Sequence, residues 1–439
     1  MLGANVMLKN FRSGIRLSLI DYRDMMSIFF VNHHNYILTA LLWRISLRKI
    51  KKNSTNFSKK KVIILSRAGG NEDVQNALKN AIKPCSYYLF PRSLVKHIFA
   101  IYLDGLVFDE DYRSTTSDIK KKKLLYQNHL SRVLFWFKKL FGLDAFIEFN
   151  ITYHPEKELA EASKLNEINF ITLHKECLMT EESGKLWMTT LKERHLKFHI
   201  DAIGVYNKVT KDAIFGAGLS DQSRIIVTGC SRMDLSHKQR LHRKNPKKSK
   251  LVYFMIQNTA GILQKQRLDN STEDFKGLAK KVTQSLIKIA HETPNVEFIF
   301  KTKIGFSDMQ KDLLPDDIPS NIKLVYEGAV HNLLLDASVV VGFNTTAVFE
   351  AIASGCQVVS PELFSEVPDS LKNFVFYLGD SAYLPRNSNE FQDIVLDLME
   401  KNKFNKSLSS SKQKLLDGVF GNSDGNSGKR TMELIEDNI

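Results

Sequence analysis

The stretch of sequence that decides the fold is residues 336–361, DASVVVGFNTTAVFEAIASGCQVVSP. Its apolar run at 338–341 predicts a short buried strand, which stops at Gly342. Residues 345–353 then predict a helix that ends at a glycine, and 357–360 predict another strand. A strand, a glycine turn, a helix and a second strand in this order are typical of a parallel α/β sheet.

The start of the predicted helix carries polar groups suited to an anionic ligand. Asn344, Thr345 and Thr346 stand where the strand meets the helix. Hydroxyls and free backbone N–H groups at a helix N-terminus form a ready binding site for phosphate. Glu350 lies one turn further along and could reach the hydroxyls of a ribose. The alternative is plain helix capping together with an exposed glutamate.

The same alternation extends through most of the chain in two blocks. Short apolar runs predict the strands of the first block at 62–66, 87–90, 144–149, 170–173, 202–206 and 224–227, and those of the second at 251–256, 296–300, 323–326, 338–341 and 357–360. Helical patterns separate these runs, so each block predicts a parallel sheet. We therefore expect an α/β fold with two Rossmann-like domains whose sheets face each other across a cleft, the default site for a ligand.

The expected domain organisation has five parts. Residues 1–58 form a helical, basic segment, and 59–235 form the first Rossmann-like domain. Residues 236–250, SHKQRLHRKNPKKSK, read as a basic linker. Residues 251–420 form the second Rossmann-like domain, and 421–439 are expected to be a mobile tail because they begin with Gly, Asn and Ser.

Cationic and amide side chains follow three of the predicted strands. Lys301 and Lys303 stand at a strand end where a diphosphate would lie, or they are solvated lysines. Arg232 follows the glycine turn of IVTGCSRMD and would point a bidentate cation into the cleft, with a structural pair to Asp234 as the alternative. Asn258 could form a hydrogen bond with a base or a phosphate.

Three segments resemble GT-B-type glycosyltransferases of bacterial surface-carbohydrate (capsule or lipopolysaccharide) biosynthesis. Residues 336–361 are similar to the family's donor-binding helix, where Ser or Thr meets phosphate and a later Glu meets ribose. Residues 226–234 resemble a Val-Thr-Gly-x-x-Arg-x-Asp element, and 149–176, with FNITYHPEKELAEA and ITLHKE, resemble the acceptor-side half. The resemblance spans roughly residues 60–380. The run Lys-Thr-Lys at 301–303 departs from a Lys-Pro-His-Pro-like run, so no histidine role is carried over.

The resemblance implies transfer of a sugar from a nucleotide-sugar donor to a cell-surface glycan or a lipid-linked acceptor. It implies no cofactor. No Asp-x-Asp motif stands at a predicted strand end, so we also expect no catalytic metal. Such a transfer by inversion needs one base to take the proton of the acceptor hydroxyl. His174 and Glu176, which follow a predicted strand, are the first candidates for this base. Glu72, just after Gly69 and Gly70, is the rival.

Other functions stay open beside this one. A CDP-polyol phosphotransferase of the teichoic-acid type and a GT-B-fold UDP-sugar epimerase would share the fold, and so would a non-catalytic scaffold. A nucleic-acid-binding protein is suggested by the net charge of +14. Residues 236–250 hold no aromatic side chains between their basic ones, so we expect no nucleic-acid partner.

Much of the basic charge lies near the N-terminus. Residues 1–61 hold 12 Lys or Arg against two Asp, a net charge of +10. Residues 25–43 are apolar and about as long as a membrane span, but the polar residues 32–35 sit at their centre. We expect a helix that packs on the protein or lies in the interface of an anionic membrane, at the inner face of the cytoplasmic membrane. An ordinary helix with a solvated basic flank is the alternative.

The composition is that of a globular protein. A chain of 439 residues with 43% apolar residues can build two or three domain cores. The four cysteines, Cys85, Cys177, Cys230 and Cys356, show no CxxC spacing. They predict neither a zinc site nor a disulfide framework, and they indicate a reducing cytosol.

Overall fold

The fold is seen in a computed structural model, which describes residues 19–50, 60–103, 116–193, 199–244, 249–256, 275–302, 313–315, 317–361 and 369–439. The strands of these residues form two sheets, one in each half of the chain. Strands and helices alternate in both halves. The prediction of an α/β fold with two sheets of mainly parallel strands is confirmed.

The first sheet has seven strands in the order β1-β3-β2-β4-β5-β6-β7. They are β1 (Arg48–Lys49), β2 (Lys60–Leu65), β3 (Cys85–Phe90), β4 (Ala145–Glu148), β5 (Asn169–Leu173), β6 (Ala202–Val205) and β7 (Ile225–Val227). Neighbouring strands are parallel except at the edge, where β1 pairs antiparallel with β3. The direction of strand addition reverses between β2 and β4, so their carboxyl ends form the topological switch point of this sheet.

The second sheet has five parallel strands in the order β10-β9-β8-β11-β12. They are β8 (Lys250–Phe254), β9 (Glu297–Lys301), β10 (Ile322–Val325), β11 (Val339–Val341) and β12 (Gln357–Val359). Val339, Val340 and Val341 are fully buried, as expected for a strand covered on both faces. The switch point of this sheet lies between β8 and β11, so the residues that follow β11 stand where α/β sheets bind ligands.

Helices cover both sheets. Those before the second sheet are α1 (residues 19–32), α2 (Tyr36–Ile45), α3 (Gly70–Ala77), α4 (Ser93–Tyr102), α5 (Ser117–Phe141), α6 (His154–Leu165), α7 (Glu181–Glu193), α8 (Lys208–Gly216) and α9 (Met233–His242). Those that follow are α10 (Lys276–Glu292), α11 (Val330–Leu334), α12 (Thr346–Ala353), α13 (Asp369–Lys372), α14 (Ser388–Lys401), α15 (Ser410–Phe420) and α16 (Ser427–Asp437).

The N-terminal helices are part of the first domain. Trp43 of α2 is fully buried, with its ring centroid 5.0 Å from that of Phe90 and 5.7 Å from that of Phe137 in α5. Aromatic pairs at such distances stabilise a core beyond the area that they bury. Across the described ranges, no helix combines the length and the apolar character that a membrane span needs.

The expected linker at 236–250 is partly a helix that holds the second domain. Residues 236–242 belong to α9. The guanidinium group of Arg243 is buried and donates hydrogen bonds to the backbone carbonyls of Leu334, Ser354 and Ala337. Residues 245–248 lie outside the described residues. For residues 236–244 the predicted solvated linker is corrected, because Arg243 satisfies carbonyl groups at helix and loop ends that would otherwise be buried without partners.

The tail expected to be mobile is also ordered. Residues 427–437 form α16, which packs against α3 of the first domain, and Ile435 is fully buried there. The Gly- and Asn-rich residues before α16 form the turn that redirects the chain, and Gly421 has a φ of +55° in that turn. Their composition therefore reflects tight backbone geometry, which glycine adopts readily.

The two domains meet through a shared apolar contact. Phe420, at the end of α15, has its ring centroid 6.1 Å from that of Tyr206 in the first domain and 5.4 Å from that of Phe349 in α12. These rings belong to one buried cluster that contains residues of both sheets. The contact holds the start of α12 next to the carboxyl ends of the first sheet's last strands.

Candidate active site

The carboxyl ends of the first sheet carry a row of cationic and aromatic side chains. Each follows its strand by a few residues: Arg67 after β2, Arg92 after β3, Tyr153 after β4, Lys175 after β5, Tyr206 after β6 and Arg232 after β7. Because the strands are parallel, these residues gather at one edge of the sheet. The sequence motifs single out Arg232 alone. The others could have been found by position, since each of them stands at the end of a predicted strand or within four residues after it.

The turn between β2 and α3 brings two of these cations together. Gly69 has a φ of +78°, a conformation that glycine adopts without strain. A Cβ atom placed on Gly69 would lie 3.7 Å from Nη1 of Arg232 and 3.9 Å from Nζ of Lys175. The two charged groups therefore lie over the turn, where the N-terminus of α3 adds positive partial charge. Such an arrangement suits a phosphate or a diphosphate.

Arg232 is fixed by a hydrogen-bond network around Asp73. The Nη1 atom of Arg232 donates to Oδ2 of Asp73 at 3.0 Å and to the hydroxyl of Tyr206 at 3.1 Å. The backbone N–H of Arg232 donates to Oδ1 of Asp73 at 3.1 Å, and the Tyr206 hydroxyl donates to the same carboxylate. Asp73 is buried, so this pair sets the direction of the guanidinium group rather than remaining a flexible surface contact.

The alternative pairing of Arg232 with Asp234 is not seen. Asp234 accepts hydrogen bonds from the backbone N–H groups of Ser427 and Gly428 and from the side-chain amide of Asn422. Its carboxylate therefore caps the first turn of α16, where the unpaired N–H groups of a helix favour an anion. The Asp at the end of the IVTGCSRMD motif has a structural role that joins α9 to α16.

Glu350 faces Arg232 from the second domain. The distance between Oε1 of Glu350 and Nε of Arg232 is 3.9 Å, and Glu350 is only 8% exposed. The alternative of an exposed surface glutamate is therefore wrong. Burial raises the pKa of Glu350 to about 7, opposed by the charge of Arg232 and assisted by the negative charges of Asp73 and Glu72. The carboxyl is thus close to half-protonated near neutral pH and can donate or accept a hydrogen bond.

The start of α12 offers polar groups at the switch point of the second sheet. Thr345 is the residue before the first helical turn, and its side chain makes no capping hydrogen bond. Thr345 and Thr346 are partly exposed, and neither hydroxyl has a hydrogen-bond partner within the described ranges. These hydroxyls and the first N–H groups of the helix can therefore meet an anion.

Asn344 shapes this turn instead of standing open to it. Its φ is +47°, in the left-handed region that asparagine tolerates better than most residues. Its side-chain amide donates to the carbonyl of Phe374 at 3.1 Å and accepts from the N–H of Phe376 at 3.3 Å. Its predicted role as a direct phosphate ligand is therefore less well supported than that of the two threonines.

His174 does not face the cleft. It is 1% exposed, its ring stacks on Trp187 at a centroid distance of 5.2 Å, and neither ring nitrogen has a hydrogen-bond partner in the described part of the chain. Burial lowers its pKa to about 4. We correct its assignment as a base, because an imidazole enclosed in this way has no access to an acceptor hydroxyl.

The two remaining candidate bases are open to solvent. The Glu176 side chain is 54% exposed, and its carboxylate lies 2.8 Å from Nζ of Lys175. Burial of part of the group opposes ionisation, but the hydrogen bond and charge of Lys175, with His174 and Arg67, outweigh it and lower the pKa of Glu176. Glu72 is exposed in the first turn of α3. Both carboxylates stand at the edge where the two cations meet.

The other predicted donor ligands lie elsewhere or outside the described residues. The ammonium group of Lys301 donates to the backbone carbonyls of Thr302 and Tyr326, at 2.7 and 2.8 Å. It therefore ties the ends of β9 and β10 together. Asn258 and Lys303 lie outside the described residues, and their roles stay predictions.

The site shows no arrangement of metal ligands in the described ranges. Within them, no group of three His, Cys, Asp or Glu side chains is placed to hold a metal ion. That the reaction needs no metal stays a prediction. The described side chains whose charge could stabilise an anionic ligand at this edge include Arg232, Lys175 and Arg67.

Comparisons with known proteins concern the fold. No family model matches the chain, and no curated protein matches it in sequence. The wall teichoic acid polymerase TagF is 9% identical, with 95% of this chain and 96% of that chain covered and a TM-score of 0.48. A UDP-GlcNAc 2-epimerase from Neisseria meningitidis, bound to UDP-GlcNAc, is 12% identical over 86% of this chain and 100% of that chain, with a TM-score of 0.46.

A glycosyltransferase from Rickettsia africae is 11% identical, with 86% of this chain and 98% of that chain covered and a TM-score of 0.45. These three proteins differ in activity, and similarities of this size assign none of their activities to this chain. The order of its own strands makes the chain an α/β protein with two sheets of mainly parallel strands, the arrangement of GT-B fold structures.

Proposed function

We propose that this protein is a GT-B-type glycosyltransferase that moves a sugar from a nucleotide-sugar donor to a surface glycan or a lipid-linked acceptor. The observation that carries the proposal is the meeting of four features at the boundary between the two domains. The turn at Gly69 and the fixed cation of Arg232 come from the first domain, and Glu350 and the start of α12 come from the second. A cleft between two α/β domains with these groups suits a ligand that has both phosphates and sugar hydroxyls.

In this proposal the donor binds mainly to the second domain. Its diphosphate contacts the N–H groups and hydroxyls at the start of α12, and its ribose forms hydrogen bonds with Glu350. Arg232 and Lys175 would meet the phosphates from the first domain, where their charged groups lie within 4 Å of the position that a Cβ atom on Gly69 would take. Negative charge builds up on the leaving diphosphate during transfer, and fixed cations in a site with little water stabilise it strongly.

We assign the base to Glu176, with Glu72 as the rival. Glu176 is ionised at neutral pH because its pKa is low, and its exposed carboxylate can meet an acceptor hydroxyl. The adjacent Lys175 ammonium would stabilise the charge of the donor's phosphates. Residues 175 and 176 would then supply a cation for the donor and a base for the acceptor. Attack of the deprotonated acceptor oxygen on the sugar carbon then breaks the bond from sugar to phosphate.

The proposal is tested by turnover with a panel of CMP-, UDP-, GDP- and CDP-activated donors. We expect one donor to be consumed, with the sugar found on an acceptor. Glu176→Gln is expected to lower this turnover by at least about 100-fold with little change in donor affinity, since a general base contributes that much. Glu181→Gln, an exposed glutamate five residues further along, is the matched control and should keep full turnover.

Each outcome of the panel assigns or removes the function. If none of the donors in the panel is bound or consumed, the proposal is refuted. Conversion of a UDP-sugar to its epimer would make the protein an epimerase, and transfer of a polyol phosphate with release of CMP would make it a phosphotransferase. A loss of turnover in Glu72→Gln instead of Glu176→Gln would move the base to α3.

We further propose that the protein works at the inner face of the cytoplasmic membrane. The outer faces of α1 and α2 expose apolar side chains in helical spacing, namely Leu19, Tyr22, Met25, Ile28, Phe29, Ile37, Leu38, Leu41 and Ile45. Contiguous exposed apolar surface of this kind marks an interaction site. The exposed basic residues Arg44, Arg48 and Lys49 follow directly, so the surface complements anionic lipid headgroups.

The proposed membrane contact predicts that replacing exposed apolar side chains of α1 and α2 by glutamate weakens binding to anionic vesicles. Phe29→Glu combined with Leu41→Glu should reduce sedimentation with phosphatidylglycerol-rich vesicles at least about fivefold, because two apolar side chains no longer enter the membrane interface. Phe215→Glu, at a similarly exposed apolar residue on α8, should bind as well as the wild type. Equal sedimentation of all three proteins, or no binding by the wild type, would contradict a lipid-facing role for α1 and α2.

A further inference from the structure

The topological switch point of the first sheet lies beside the proposed donor site, and its chemistry differs. The loops after β2 and β4 flank this point, and they carry Arg67 and Tyr153. Ligands of open α/β sheets bind at such points. The donor is proposed to occupy the corresponding point of the second sheet. The donor's phosphates reach the first sheet at the Gly69 turn, so the part of its switch point that carries Arg67 and Tyr153 is available to a second ligand.

Tyr153 is held in place by a buried ion pair. The guanidinium group of Arg92 lies 4.3 Å from the centroid of the Tyr153 ring. Arg92 in turn forms a two-pronged pair with Glu156, in which Nε donates to Oε1 and Nη2 donates to Oε2 at 2.9 Å. The side chains of this pair are 13% and 2% exposed, so the charge of Arg92 is neutralised locally. The described contacts of Arg92 therefore fix the Tyr153 ring, and the compensated charge of Arg92 attracts a further anion only weakly.

Arg67 stacks on the same ring, but its charge is not neutralised. Its guanidinium group lies 4.6 Å from the centroid of Tyr153, and the residue is exposed. In the ranges that the structure describes, no carboxylate lies within 4.0 Å of this group, and the nearby Glu176 is already paired with Lys175. Stacking on an aromatic ring orients an arginine and still leaves its N–H donors available for an anion.

We propose that Arg67 and Tyr153 form a subsite for an anionic group, a phosphate or a carboxylate, on the acceptor. The inference rests on the proposed function, because it takes the ligand at this place to be the acceptor. The guanidinium group binds the anion through two N–H donors, and the tyrosine ring packs against the sugar beside it. Glu176 lies close enough to Arg67 for their charges to interact, so an acceptor fixed by Arg67 has its hydroxyl near the proposed base.

The subsite is tested with two matched pairs of small probes, measured by ligand-detected NMR. Methyl glucuronide is compared with methyl glucoside, and glucose 6-phosphate with glucose. We expect the charged member of at least one pair to bind about tenfold more tightly than the neutral one, as a hydrogen-bonded charge pair provides. The preferred pair identifies the anion as a carboxylate or a phosphate. In Arg67→Gln the preference should disappear.

The control is an arginine in a similar setting elsewhere. Arg132 is exposed and lies 5.2 Å from the centroid of the Tyr36 ring, on α5 and outside the row of strand-end residues. Arg132→Gln should keep the preference for the charged probe. Equal affinity for charged and neutral probes, or an unchanged preference in Arg67→Gln, would overturn the subsite. Binding of UDP, GDP and CDP is recorded on the same samples, so loss of the donor site and loss of the anion subsite are seen separately.

Discussion

Replacing Arg232 by methionine is expected to lower the free energy of unfolding by about 3–5 kcal/mol and to abolish nucleotide binding. Methionine fills similar space but leaves two buried carboxylates, Asp73 and Glu350, without the cation that both face. Removing one partner of a buried ion pair costs more than removing both, because an uncompensated charge stays inside the protein. Denaturant titration at pH 7.5 and a nucleotide-binding titration measure the two effects.

Two further variants show whether this loss comes from the network. Arg224→Met removes an exposed ion pair at 3.9 Å with Asp221 and should cost less than about 1 kcal/mol. Asp73→Asn combined with Arg232→Met should recover part of the stability, because one of the two stranded charges is gone. If the free energy of unfolding of Arg232→Met lies within 1 kcal/mol of the wild-type value, Arg232 does not form the buried ion pairs with Asp73 and Glu350 described above.

The second large effect is the pH dependence that Glu350 gives to folding. Its pKa rises from 4.5 in the unfolded chain to about 7 in the folded protein, so the folded state holds the extra proton between these values. The contribution of Glu350 to the free energy of unfolding is therefore constant below pH 4.5. It falls by about 3 kcal/mol in all as the pH rises from 4.5 to 7. Glu350→Gln removes this dependence because its amide is always neutral.

The expected result is a stability difference that appears only at higher pH. At pH 5 the two proteins should agree within about 1 kcal/mol, and at pH 8 Glu350→Gln should be more stable by about 3 kcal/mol. Buried histidines such as His174 also titrate below neutral pH, but they do so in both proteins. The difference between the proteins therefore isolates Glu350 and its neighbours Arg232, Asp73 and Glu72. An equal difference at both pH values would refute the raised pKa.

The two sheets and all their strands except β1 could be predicted from the sequence, because these strands contain short runs of buried apolar residues. Such runs can be recognised from a few consecutive residues, as at 62–65 and 339–341. The edge strand β1 (Arg48–Lys49) is exposed and basic and carries no such signal. The sequence instead predicts most of α9 as part of a linker, because residues 236–250 are polar and basic, and α16 as part of a mobile tail, because residues 421–439 begin with Gly, Asn and Ser. Their order depends on partners far along the chain, such as the carbonyls that Arg243 satisfies.

The site was only partly predictable for the same reason. Arg232 and Thr345 lie between a strand and the helix that follows it, Glu350 lies one turn into α12, and their residue types and spacing identify them in the sequence. The partner of Arg232 is Asp73, 159 residues away, and the motif offered the nearer Asp234 instead. His174 and Glu176 both follow β5, and only the packing of Trp187 on the first of them shows that it is buried.

The measurement that tests the central claim most directly is a crystal structure of the protein with UDP, GDP or CDP bound. The account predicts that the diphosphate lies against the first turn of α12, within hydrogen-bond distance of Thr345 and Thr346. It also predicts that the ribose lies beside Glu350 and that Arg232 faces the phosphates from the other domain. A nucleotide bound away from this turn, or a helix start covered by the protein's own chain in the complex, would contradict it.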